Sequence, residues 1–275
     1  MPRLAKILIY PVKSLDGLSV PQCPVLPSGA LQNDRRFALR DSLGEFINGK
    51  REPAMHCLRL HEFANAGGLA TAAELLRMEP LFPASEQQPS KQQAAVHQLR
   101  RFDRALAEDW LRQRFLRRVT LVEHDLAGFP DDPDAPGPTV VSTATLQEVA
   151  EWFPGLSLEE VRARFRANLE VDGVEPFWED RLYAAAGEAV RFAVGSVILE
   201  GVNPCQRCAV PTRTSTSGEV WPQFAKIFAR RRKESLPGWA VASRFDHYFR
   251  LAVNTRLSPV NTGQQINVGD TVQIC

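Results

Sequence analysis

The sequence predicts a mixed, mainly β fold: two β-barrel-type modules with a few peripheral helices. Three observations carry that prediction. Short runs rich in Val, Ile, Leu and Phe recur at irregular spacing, separated by turn residues. Helical periodicity is confined to four segments. Strands and helices seldom alternate in the βαβ manner, which argues for barrels and against a doubly wound parallel sheet.

Residues 4–10 and 19–26 read as strands separated by a turn at Asp16-Gly17. Residues 36–40 and 45–48 form a hairpin around Ser42-Leu43-Gly44. Residues 80–93, rich in Pro, Ser and Gln, read as a surface loop or partly disordered insertion. Asp103 caps a helix through about Arg117 whose apolar side is Leu106, Trp110, Leu111 and Phe115, and residues 119–123 follow as a strand. Residues 129–138 hold four prolines among acidic residues, the clearest composition break in the chain. This break predicts modules at 1–128 and 129–275. Ser142 or Thr143 caps a helix through Trp152, and Ser157 with Glu160 has capping-box spacing for another through Phe165. Strands are expected at 169–171, 189–193, 196–200, 248–253 and 271–274, with a helix at 224–232.

Composition narrows the function classes. The 275 residues suffice for one large domain or two modest ones, either with a proper core. Basic and acidic residues number 33 and 32, so the net charge of +1 provides no global field for nucleic acid or an anionic membrane. No apolar run approaches the ~18 residues of a membrane span, and the first ten residues read as a strand and not a leader. Five scattered cysteines are a poor disulfide framework and point to a reducing, cytoplasmic setting. The run Arg230-Arg231-Arg232-Lys233 reads as a solvated helix end, with docking of an acidic partner as the functional alternative. The five histidines show no metal-ligand spacing and are expected in ordinary core or surface roles.

The most informative stretch is Asn203-Pro204-Cys205-Gln206-Arg207-Cys208-Ala209-Val210-Pro211-Thr212. Four readings of its cysteines stand open. Structural zinc needs four N/S ligands, and the remaining cysteines are isolated. A redox dithiol wants a helix after the pair, which Pro211 disfavours. Two buried thiols acting as small hydrophobes would need no partner. Cys208 could instead be a single thiolate ligand to a redox metal, its deprotonation favoured by Arg207, with a cofactor completing the coordination.

Together the motifs resemble the MOSC family, named for the molybdenum cofactor sulfurase C-terminal domain. The resemblance runs through Tyr10-Pro11-Val12-Lys13-Ser14, Asp34-Arg35-Arg36-Phe37, Phe46-Ile47 and Arg51-Glu52-Pro53. It continues through residues 141–146 and 164–169, Arg207-Cys208 with Gly218 downstream, and Val268-Gly269-Asp270-Thr271-Val272. Among its members the chain looks most like the mitochondrial amidoxime reducing component and its bacterial counterparts. The resemblance implies a pyranopterin, oxo-molybdenum cofactor and an oxidoreductase that reduces N-hydroxylated or N-oxide small molecules by two-electron oxygen-atom transfer. It implies Cys208 as catalytic metal ligand, and Lys13, Ser14, Arg36, Ser142, Arg166, Asn168 and Arg207 as cofactor-binding residues. Lys and Arg suit the cofactor's anionic phosphate, and Asn168 suits the amide edge of its pterin. The wider family adds an association with pyridoxal phosphate. Electrons are expected from a separate donor protein, because no iron–sulfur cysteine spacing follows the MOSC motifs. The alternative is a cofactor or sulfur carrier that uses Cys208 without redox turnover. The stretch Pro211-Thr212-Arg213-Thr214-Ser215 lacks the acidic residue that amidoxime reducers carry there, so substrate handling is expected to differ.

Overall fold

A computed structural model describes residues 1–66 and 103–275. The loop expected at 80–93 lies outside the described residues. Thirteen strands and five α-helices are described, and the fold is mixed and mainly β.

Eight strands form the main sheet. They are β1 (Arg3–Ile9), β2 (Leu18–Val20), β7 (Val140–Ser142), β8 (Leu169–Asp172), β9 (Val190–Val194), β10 (Val197–Gln206), β11 (Arg250–Leu257) and β13 (Val272–Ile274). Their order is β13-β9-β10-β11-β7-β8-β1-β2. All pairings are antiparallel except β7 with β8. A bridge between Arg3 and Thr271, with Leu4 N–H donating to Asp270 O at 2.8 Å and Gly269 N–H to Leu4 O at 2.8 Å, joins β1 to the chain entering β13. The sheet thereby curls until β1, one strand in from its β2 edge, meets the chain entering the β13 edge. Strand alternation sends Val140, Val253, Leu169 and Val171 inward, where they pack with Ile7, Phe192 and Leu199.

The N-terminal strands β1 and β2 belong to this sheet, paired with β8 from the other half of the chain. Strand β3 (Gln22–Pro24) likewise pairs with β12 (Gln265–Asn267). The composition break at 129–138 thus separates sequence segments but not hydrogen-bonded layers. A second, smaller core surrounds the sheet of β4 (Phe37–Arg40), β5 (Phe46–Ile47) and β6 (Thr120–Glu123), with α1 (Leu60–Ala66) and α2 (Arg104–Phe115) packed on it. Asp103 caps α2 through the N–H groups of Ala105 and Leu106. Leu106 itself is 56% exposed, so the apolar side of α2 is narrower than its periodicity suggests.

The parallel step from β7 to β8 requires a crossover, supplied by α3 (Thr143–Glu151) and α4 (Leu158–Phe165). Ser142 and Ser157 cap these helices through the N–H groups of Thr145 and Glu160. They pack with α5 (Phe224–Glu234) over the outward residues Val141, Leu251 and Ala252, around stacked Phe153 and Phe224.

Beneath α3 and α5 lies a buried polar cluster. Glu179 is 1% exposed; its Oε2 accepts from Ser142 N–H at 3.2 Å and Thr145 Oγ1 at 3.0 Å. Burial first, and neighbouring Asp180 second, push the Glu179 carboxyl up to about 7. A carboxyl raised in the folded state retains its proton there while the unfolded chain has lost it. Stability tied to this group is therefore complete below its ordinary value and declines as pH climbs toward 7. Glu179→Gln should keep the acceptor and remove the titration. Urea unfolding at pH 8 is expected to show the variant more stable by about 2–3 kcal/mol, with the gap shrinking by pH 5. Parallel stability curves for the two proteins would refute this.

Candidate functional site

The cleft forms where four segments converge on one end of the main sheet. These are the end of β1 with the turn after it, the loop following β5, the C-terminus of α4, and the end of β10 with the residues beyond it. Strand β10 is what brings the cysteines there. It passes through Pro204 beyond the point where β9 stops pairing at Gly201, so that at Pro204 only β11, with Val253 opposite, remains alongside. Register shifts at Gly201/Asn203 and Pro204/Gln206 then bend the strand toward the cleft. At Gly201 an added Cβ would collide with Leu182 O, so the bend also depends on a bare backbone there.

The cleft encloses about 640 Å³, within the range of cofactor sites. Cys208 lies on its wall, exposed, with Val210 N–H donating to Sγ at 3.5 Å. Cys205 also lines the cleft but is half-buried, and burial pushes its thiol up. The cleft wall carries nine Lys or Arg side chains against the carboxylates of Asp16, Asp131 and Glu159, so the region is cationic despite the neutral chain.

Most of these cations are already engaged. Arg162 grips Glu170 through Nε at 2.6 Å and Nη2 at 2.7 Å, and Arg164 Nε pairs with Glu160 at 2.8 Å. Arg207 donates to Leu251 O and Phe165 O, and Arg213 to Gly218 O at 3.0 Å. Arg35 pairs with Asp34 at 2.5 Å, which outweighs burial and raises its pKa. Lys13 Nζ donates to Phe129 O at 2.9 Å and Asp131 Oδ1 at 2.5 Å. The protein around Asp131 would raise its carboxyl even though the side chain itself reaches solvent, but Arg35, Lys13 and Arg166 together bring it below the usual carboxylate range.

Arg166 differs from the others. Its guanidinium stacks over Tyr10 at 4.2 Å and takes no hydrogen-bond or ion-pair partner among the described residues. Burial and the like charge of Arg35 lower its pKa. Its backbone is left-handed, φ 53°, as the cap of α4. Ser14 (φ 75°) and Arg35 (φ 49°) share that uncommon conformation and also line the cleft. Three strained non-glycine residues at one site mark it as a place where geometry is maintained against local preference.

The structure thus brings together Cys208, Lys13, Ser14, Arg166 and Arg207. It does not bring Arg36, Ser142 or Asn168 to the cleft lining. Arg36 is 4% exposed, bound to Glu123 at 2.7 Å and Asn33 at 3.0 Å, and the cleft position belongs to Arg35. Ser142 is fully buried as the cap of α3. Asn168 is fully buried too; Oδ1 accepts from Thr139 N–H and Oγ1 at 3.2 Å each, and Nδ2 donates to Leu8 O at 3.0 Å. These bonds take the amide oxygen and one amide N–H, and burial keeps the rest of the side chain out of reach of a ligand in the cleft. The basic run after α5 is also divided: Arg230 and Arg231 are exposed beside Glu234, whereas Arg232 is buried against Asp180. Sequence reasoning missed Arg35, Asp131 and His56 as lining residues. His56 is half-buried with Nε2 3.3 Å from Gly49 O, and burial, followed by nearby arginines, lowers its pKa and favours the neutral ring.

The model of the MOSC N-terminal beta barrel domain matches residues 1–118, and that of the MOSC domain matches residues 138–273. The chain belongs to the MOSC family. A molybdenum cofactor sulfurase from Oryza sativa subsp. japonica is 24% identical to this MOSC chain over 266 residues, covering 84% of it. The chain spans 31% of that relative's length. Among solved structures, YiiM from Geobacillus stearothermophilus aligns with TM-score 0.33 and 12% identity over 50% of this chain and 54% of its own. The YUAD protein from Bacillus subtilis aligns with TM-score 0.38 and 12% identity over 100% of this chain and 96% of its own. No helix among the described residues of the MOSC chain is long and apolar enough to cross a membrane.

Proposed function

We propose that this chain binds a pyranopterin molybdenum cofactor in the cleft, ligates the metal through Cys208, and reduces N-hydroxylated or N-oxide small molecules. The observation supporting it most is the meeting of an exposed thiol, Cys208, with a partnerless guanidinium, Arg166, in one cleft of cofactor size. The residues present fit the group. Among the described residues no three His, Cys, Asp or Glu side chains converge as a metal site. A lone thiolate instead suits a metal that arrives with its other donors.

When bound, the cofactor supplies the two-electron redox centre. The chain's residues do the rest. Arg166, with Lys13 and Arg35 on the same cleft wall, would pair with the cofactor's anionic phosphate. Tyr10 beneath Arg166 holds that guanidinium facing the cleft. Arg207, tied to two backbone carbonyls, fixes the chain beside Cys208. Reduction of an N-hydroxyl group takes up two electrons and two protons and releases water. With its Nε2 proton on Gly49 O, neutral His56 offers Nδ1 at the cleft wall as a hydrogen-bond acceptor for the substrate's hydroxyl, and the two protons are drawn from water entering the open cleft. The electrons come from a separate donor protein, in a cytoplasmic setting.

A second reading has support in the relative named molybdenum cofactor sulfurase. In it Cys208 carries sulfur or cofactor without turnover. Metal analysis of the protein made in cofactor-competent cells, beside Cys208→Ala, tests the first reading. Molybdenum near one per chain in the parent and near zero in the variant is expected. Equal metal in both would sink the ligand assignment. Turnover of an amidoxime with reduced methyl viologen favours the reductase; a cyanide-labile sulfur on Cys208 without turnover favours the carrier.

A further inference from the structure

Asp131 occupies an unusual place in the cationic cleft. It is held by Lys13 at 2.5 Å and shares with Arg35 and Arg166 the walls of both the main cleft and a recess of about 50 Å³ beside it. The same ammonium that takes its carboxylate also takes the carbonyl of Phe129, so Lys13 clamps this part of the proline-rich segment over the cleft. Yet the Asp131 side chain is 75% exposed, free to swing toward solvent without opening the core. Asp132 beside it faces elsewhere: its Oδ2 is 3.5 Å from Asn254 Nδ2, and its Oδ1 accepts from Asp134 N–H at 3.0 Å.

We propose that Asp131 is the resident counter-ion of the cleft and a specificity-determining residue of its anion site. An entering anionic group meets partnerless Arg166 directly but engages Lys13 only by turning the Asp131 carboxylate out, while Arg35, paired with Asp34, adds its charge from the same wall. A dianion gains more from those cations than it loses by displacing one carboxylate. A monoanion gains about as much as it displaces, and so is rejected. The site therefore prefers a phosphate dianion, free or as a monoester, to monovalent anions. This inference rests on the cleft being the anion site of the function proposed above, but not on any metal at Cys208.

The test uses the full chain from cells that make no cofactor, titrated calorimetrically at low ionic strength with inorganic phosphate and with acetate. Asp131→Asn is expected to bind phosphate about three- to fivefold more tightly than the parent, in keeping with one half-exposed charge pair. It should also gain measurable acetate binding. Asp131→Ser should behave alike, Asp132→Asn should match the parent, and Arg166→Gly should lose phosphate binding. Equal or weaker phosphate binding in both Asp131 variants overturns the proposal. So does an equal gain in Asp132→Asn, unchanged binding in Arg166→Gly, or no phosphate binding by any of them. A gain in Asp131→Asn with no molybdenum on Cys208 would retain the counter-ion and sink the metal reading. Cys208-dependent molybdenum without that gain would do the reverse.

Discussion

Arg166→Gly is expected to weaken binding of the anionic ligand ten- to a hundredfold while leaving the folded state about as stable as before. The loss follows from removing a charge-assisted contact in a sheltered site, where such a contact is worth about 1.5–3 kcal/mol. The indifference of stability follows from opposing terms. Glycine relieves the left-handed backbone at φ 53° and removes the repulsion with Arg35, worth about 1–2 kcal/mol together. Against this stands the lost stacking on Tyr10, of about the same size. Thermal unfolding should place the variant within about 3 °C of the parent, since 1 kcal/mol shifts a chain of this class by a few degrees. A large drop in Tm would mean that Arg166 is a structural residue and not a ligand-binding one.

Arg232→Met carries the largest expected cost in stability. Arg232 and Asp180 are 1% and 3% exposed, paired to each other, with the guanidinium between the rings of Phe177 at 4.2 Å and Phe245 at 5.0 Å. Without the arginine, Asp180 is left buried beside Glu179, and breaking such a pair from one side costs about 3–5 kcal/mol. The double variant Asp180→Leu with Arg232→Met should recover most of that loss, because an apolar pair of similar volume fills the site without stranding a charge. Urea unfolding of the two variants checks both statements. A double variant as unstable as the single one would show that packing, not charge burial, governs the cluster.

The sequence located caps and strands well where the signal is local. Asp103, Ser142 and Ser157 cap the helices they were expected to cap, because a short polar side chain before an apolar period has few other uses. The Asp41–Glu45 turn likewise sits between paired strands β4 and β5. What escaped was the facing of particular side chains. Alternation counted back from buried Phe37 cannot tell Arg35 from Arg36, since Arg35 leaves the strand conformation and resets the phase. Ser142 and Asn168 are polar and sit in matching motifs, but a buried backbone claims their hydrogen bonds first. Arg232 stands among three other cations, and only the fold reveals an aspartate beneath one of them. The continuation of β10 through Pro204 depends on where β9 stops, which no window around residue 204 records.

The first strand of the chain has one further consequence. Since Arg3 meets Thr271 and β1 pairs with β8, the opening residues form a stave between two stretches that both come from the second half of the chain. Recombination that exchanged residues 129–275 alone between relatives would transfer a wall with a gap in it.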